Sequence, residues 1–223
     1  MDQNEDYIVT LDYVDTYTNI PCTTQKIIFT EYKDEYYSKI KIPFGCKIYY
    51  EENREITLLY ACRKGFVKTA TQIILNNEVD DAGAVDSTDC TALIWACRRR
   101  MRDLVLLLVD TFGDKCNPQH VGFNGYTALM HACSVDMKLI ASSLIHTFGE
   151  KCNPGQVGND GNTALILSCK STNNEIALLL IKTFREKCKP QSVDNRLFTA
   201  ILYSISSNMH DVTTSLRAIS ITF

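Results

Sequence analysis

The sequence predicts a mainly α protein: a solenoid of about five helix-turn-helix units of period 36, behind a small β-containing N-terminal segment. Three observations carry this prediction. The chain matches itself when shifted by 36 residues, and each matching unit reads as two short helices with one apolar face apiece. Neither helix carries enough apolar surface to fold alone, so the units must stack.

Residues 1–52 stand apart in composition. They hold eight of the eleven tyrosines, in runs such as DYIVTLDYVDTYT and TQKIIFTEY. Such β-branched and aromatic runs favour strands. Ten acidic residues there face five lysines, whereas 53–223 is nearly balanced, 18 basic against 16 acidic. The segment reads as a β-rich cap over the first unit, or as a separate recognition subdomain or a largely mobile tail.

The repeats follow over 53–223. CTALIWAC (90–97) aligns with YTALMHAC (126–133), NTALILSC (162–169) and FTAILYSI (198–205). TFGDKCNPQHVG (111–122) aligns with TFGEKCNPGQVG and TFREKCKPQSVD. EITLLYAC (55–62) joins the series with one residue fewer. The units therefore span about 53–87, 88–123, 124–159, 160–195 and 196–223.

Within the unit 124–159, Asn124-Gly125 marks a turn and Thr127 stands at a helix N-cap. Leu129, Ala132 and Cys133 share one helix face, and Asp136 breaks the helix. A second helix runs to about His146 on Ile140, Ala141, Leu144 and Ile145; Gly149 and Asn153-Pro154 then open a loop. Leu93, Leu129 and Leu165 are expected in the core. In the last unit the second helix carries DVTTSLR, the polar outer face that a terminal repeat needs.

One stretch invites another reading. CNPQHVGFNGYTALMHAC (116–133) holds two thiols and two imidazoles, the ligands zinc prefers. The cysteines recur: Cys116 aligns with Cys152 and Cys188, and Cys133 with Cys62, Cys97 and Cys169. The histidines do not. His120 gives way to Gln156 and Ser192, and His131 to Trp95, Leu167 and Tyr203. Thiols that travel with the repeat while imidazoles stay behind belong to packing, so no metal and no cofactor is expected. Equivalent cysteines one helix spacing apart, about 8–10 Å, are too distant for disulfides, which need Cα atoms within roughly 7 Å.

GYTALMHAC, GNTALILSC and CRKGFVKTATQII resemble ankyrin repeats, whose pattern is G-x-T-P-L-H-x-A-A, an interhelix turn, an apolar second helix and G-A-D-V-N. The resemblance covers roughly 53–223. The motif's proline is alanine throughout, and its histidine slot holds Ile94, Met130, Ile166 or Leu202, so apolar packing replaces the hydrogen bonds of that histidine. The linker is about three residues longer than in the 33-residue family unit. TALxxAC followed by TFGEKCNP most resembles uncharacterised ankyrin proteins of giant DNA viruses of amoebae.

The resemblance implies a non-catalytic protein-interaction module, monomeric, with a concave face of hairpin tips and first-helix ends. At those positions stand Arg63, Lys64, Arg98, Arg99 and Lys170, a basic edge, with Phe123 and Tyr126 at the centre of the groove. Arg and Tyr carry binding energy at interfaces, and this edge suits a protein partner with an acidic segment. The plain alternative is that RKG and RRRMR are solvated helix ends. A ubiquitin-ligase adaptor is the second functional reading, against which the abrupt end at Phe223 argues. An enzyme is not expected, since no phosphate loop, nucleophile elbow or nucleophile–base pair occurs.

A net charge of −3 gives no reason to expect nucleic acid. No apolar run approaches the ~18 residues of a spanning helix, and the acidic N-terminus lacks a secretory pattern. The chain is expected to be intracellular and cytoplasmic, in a host cell if it is viral.

Overall fold

A threonine opens every first helix. Thr57, Thr91, Thr127, Thr163 and Thr199 hold extended backbone while each hydroxyl oxygen accepts from the amide three residues on, at 3.2–3.5 Å. This satisfies one of the amides that a helix start leaves without a partner. The computed structural model describes residues 7–14, 21–29, 47–50, 54–55, 57–77, 79 and 81–220. It falls into two compact units, Met1–Asp80 and Asp81–Phe223. The chain is mainly helical. Most of the β-containing segment expected over 1–52 lies outside the described residues.

The first unit contains α1 (Leu58–Lys64) and α2 (Val67–Leu75). The second contains four further pairs: α3 (Ala92–Arg98) with α4 (Arg102–Phe112), and α5 (Ala128–Ser134) with α6 (Lys138–Phe148). Then come α7 (Ala164–Lys170) with α8 (Asn174–Phe184), and α9 (Ala200–Ser206) with α10 (His210–Ser220). The turn inside each pair needs one left-handed residue. Gly65 supplies it in the first pair, at φ 85°. Arg100, Asp136, Thr172 and Asn208 supply it at φ 53–61° in the others.

Stacking follows from the apolar faces. First helices pack on first helices, α3 on α5, α5 on α7 and α7 on α9; second helices do the same, α4 on α6, α6 on α8 and α8 on α10. Leu93, Leu129 and Leu165 are fully buried, as expected. Ile94, Met130 and Ile166, in the slot where the family carries histidine, are buried with them. In the second unit, α5 and α7 thus lie between two first helices and bury nearly their whole circumference.

Two local expectations change. The second helix continues to Phe148 rather than His146, and a 3-10 turn, Gly149–Cys152, replaces the expected loop. Gly113–Cys116 and Arg185–Cys188 repeat that turn. A buried cysteine ends each of the three turns, the Cys116 thiol donating to the Leu108 carbonyl at 3.2 Å. The Cys152 and Cys188 thiols donate to the carbonyls of Gly149 and Arg185, at 2.8 Å in both turns, and the sulfur is buried. Tucking this side chain under the helix end coils residues that would otherwise drift outward. The extra length of the 36-residue unit sits here.

The polar face expected on the second helix of the last unit is present. On α10, Asp211, Thr214 and Arg217 are exposed, and Val212 and Leu216 are buried. The first helix of the pair behaves differently: Leu202 is 43% exposed and Ile205 48%. One unit earlier, the equivalent Ile166 and Cys169 are at 0%, beneath α9. Among the described residues no further first helix lies over α9, so its seam residues face outward.

Candidate functional site

The thiols belong to the seams. Cys97, Cys133 and Cys169 are fully buried on successive first helices, and Cys116, Cys152 and Cys188 close the 3-10 turns. Burial pushes the Cys133 thiol up to about 12, and those of Cys116, Cys152, Cys169 and Cys188 likewise. Such thiols remain protonated and are poor nucleophiles or metal ligands. Among the described residues, no group of three or more His, Cys, Asp or Glu could hold a metal ion. His120 faces Asp89, its Nε2 2.9 Å from the backbone carbonyl and 3.1 Å from the carboxylate.

The rim of the second unit is where side chains remain available. Arg98, at the C-terminal end of α3, sets its guanidinium 5.0 Å from the Trp95 ring centroid and 5.5 Å from that of Phe123. Arg99 lies 5.9 Å from the same Trp95 ring. Phe123 stays 55% exposed on its tip. Beside it opens a cavity of about 610 Å³, lined among others by Arg98, Phe123, Tyr126, His131, Asn159 and Asp160. Three of the sequence-predicted residues, Arg98, Phe123 and Tyr126, thus meet at one place.

Tyr126 is anchored across a seam. Its hydroxyl donates to Asp160 Oδ2 at 2.8 Å and accepts from the Asn162 amide at 3.3 Å. Burial, reinforced by the Asp160 carboxylate, raises the phenol above its ordinary value. The Tyr126 ring packs 5.2 Å from the His131 ring. His131 is 6% exposed, and its Nε2 has no hydrogen-bond partner. Burial, helped by the charge of Arg98, lowers the imidazole to about 4, so it is neutral at pH 7.

The remaining predicted residues lie elsewhere. Lys170 turns inward: its ammonium donates to Asn162 Oδ1 at 2.9 Å and to Asp194 Oδ2 at 3.0 Å, 5.1 Å from the centroid of the Tyr203 ring. Asp194 is buried and also accepts from the Tyr203 hydroxyl at 2.6 Å. Burial alone would raise this carboxyl, but bonds from Tyr203, Lys170 and the Phe198 and Arg196 amides outweigh it and hold the group well below the usual range. Arg63 and Lys64 end α1 in the first unit, with the Lys64 ammonium 5.7 Å from the Tyr60 ring centroid.

Sequence reading put Asn159 and Asp160 at the next hairpin tip without choosing them as site residues, and it missed His131 as a lining residue. A signal for His131 was present. Trp95 and Tyr203, which align with His131, each donate to an aspartate nine residues earlier, Asp86 and Asp194. At the matching distance before His131 stands Gly122, so the imidazole has no such acceptor.

The family pattern described as ankyrin repeats (3 copies) matches residues 58–153, 111–194 and 129–221. Among curated proteins, none matches the chain. No helix among the described residues is long and apolar enough to cross a membrane.

Proposed function

The chain belongs to the ankyrin-repeat family, and from that premise we propose that it binds a protein partner carrying an acidic segment, through hairpin tips and first-helix ends. Ankyrin repeats are in general protein-protein interaction modules and typically non-catalytic. The observation that carries the proposal is Arg98. Its guanidinium sits among the rings of Trp95 and Phe123 at the mouth of the cavity, and no carboxylate among the described residues forms a salt bridge with it. A cation held on aromatic faces, beside an exposed phenylalanine, is the kind of anchor that dominates protein interfaces.

In this reading Arg98, Arg99, Phe123 and Tyr126 form the centre of the interface, and Arg63 and Lys64 are basic candidates of the first unit. Lys170 contributes by holding the next tip in place. Residues 1–52 act as a β-containing cap or subdomain ahead of repeats that fill 53–223. Supporting this are its strand-favouring composition and the antiparallel pairing of β1 (Tyr7–Val14) with β2 (Pro21–Phe29) and β3 (Lys47–Tyr50). The likeness to viral ankyrin proteins rests on TALxxAC and TFGEKCNP alone.

The test is charge reversal. Arg98→Glu with Arg99→Glu, both at exposed positions, should leave the melting curve nearly unchanged and abolish capture of partners identified by mass spectrometry. Unchanged capture by the folded variant would remove this interface.

A further inference from the structure

The cavity beside Tyr126 holds a group that the stack does not explain. His131 is more than nine-tenths buried, lines the cavity, and has an Nε2 atom without a partner. A buried polar atom left unsatisfied costs about 1–3 kcal/mol, and this cost recurs at neither Trp95 nor Tyr203, whose polar atoms reach Asp86 and Asp194. Arg98 lines the same cavity and carries a charge that no described carboxylate pairs. One buried imidazole nitrogen without a hydrogen-bond partner and one guanidinium without a carboxylate therefore face the same space.

We propose, building on the partner-binding reading above, that this cavity receives the carboxylate of one Asp or Glu side chain from the partner segment, held by Arg98 and His131, and that its arrival favours uptake of a proton from water by His131. A single carboxylate fits the local charge. Asp160 also lines the cavity, with its Oδ2 occupied by the Tyr126 hydroxyl and the Asn162 amide, and would repel a dianion such as a phosphate. A cationic side chain would meet Arg98. The groups facing the imidazole are Arg98 from α3, Tyr126 from its own tip and Asp160 from the next tip. An entering carboxylate offsets the Arg98 charge that disfavours imidazolium, so the bound complex holds the proton better than the open cavity does.

A displayed library of random peptides, panned on the full chain, tests the assignment. Enriched peptides are then resynthesised with each acidic residue replaced by its amide. One acidic position should emerge at which the amide weakens binding by about ten-fold or more, and Arg98→Gln should erase most of that difference. Binding to the unsubstituted chain should tighten from about pH 7.5 to about pH 5.5, and His131→Leu should flatten the profile. That variant keeps an internal precedent for folding, because Leu167 occupies the same position one unit on. Peptides indifferent to amide replacement, or an acidic anchor indifferent to Arg98→Gln, would overturn the cavity assignment while leaving partner binding intact. A flat profile in the unsubstituted chain would overturn the role of His131. If no peptide is enriched on a chain that is folded by circular dichroism, both readings fall.

Discussion

The outer and inner pairs of the second unit solve one problem in two ways. In the outer pairs, Trp95 and Tyr203 reach back to Asp86 and Asp194, so each tip is tied to its own first helix. In the inner pairs the aspartates are replaced by Gly122 and Gly158, and the ties run forward to the next tip, from Tyr126 to Asp160 and from Lys170 to Asp194. The glycine at 158 is needed for space: a Cβ there would lie 2.5 Å from the Tyr126 ring. Where the outer pairs close this tie, the pair of α5 and α6 leaves a cavity beside His131. The difference teaches that a near-exact repeat can leave one polar atom, His131 Nε2, without the partner its counterparts have.

The strongest test of this contrast compares seam positions. Ile166→Ala, at 0% exposure, should cost about 2–5 kcal/mol in chemical denaturation. Leu202→Ala, the same position on α9 at 43% exposure, should cost about half of that or less. Equal losses would mean that α9 is covered in solution. The second test is the acid limb of stability. His131 is lowered in the fold from its ordinary 6.5 to about 4, so the neutral form is favoured by folding. Its contribution is full above pH 6.5 and fades as pH falls towards 4, by at most about 3 kcal/mol. Melts of His131→Leu should show that slope removed. The third and smallest effect is Gly158→Ala, expected to cost about 1–3 kcal/mol, because the Tyr126 ring is pinned by Asp160 and cannot give way. A neutral result there would show that the ring moves freely.

Much of the helical fold could be read from residue order. The 36-residue shift located the first helices, the capping Thr127, the seam leucines and the packing role of the cysteines, because those features recur with the unit. The 3-10 turns escaped, since a buried Cys152 bonded to Gly149 only makes sense once the helix end above it is placed. The site was legible by type and less so by partner. Arg98, Phe123 and Tyr126 were visible as an exposed cation and two aromatics. Asp160, 34 residues after Tyr126, needed the spatial register between tips. Lys170 looked like a rim cation until Asp194, 24 residues on, placed a buried carboxylate beneath it.

The string from Tyr126 through Asp160, Asn162, Lys170 and Asp194 to Tyr203 has a consequence for how such a chain can change over evolutionary time. Arrays of this kind grow and shrink by copying or dropping whole modules, and identical modules would survive any reshuffling. Here each tip is keyed to one specific follower. Exchanging the modules 124–159 and 160–195 would set Tyr126 against a follower whose matching position is Arg196, and would leave Tyr203 facing Gly158 in place of Asp194. Their order is part of the message.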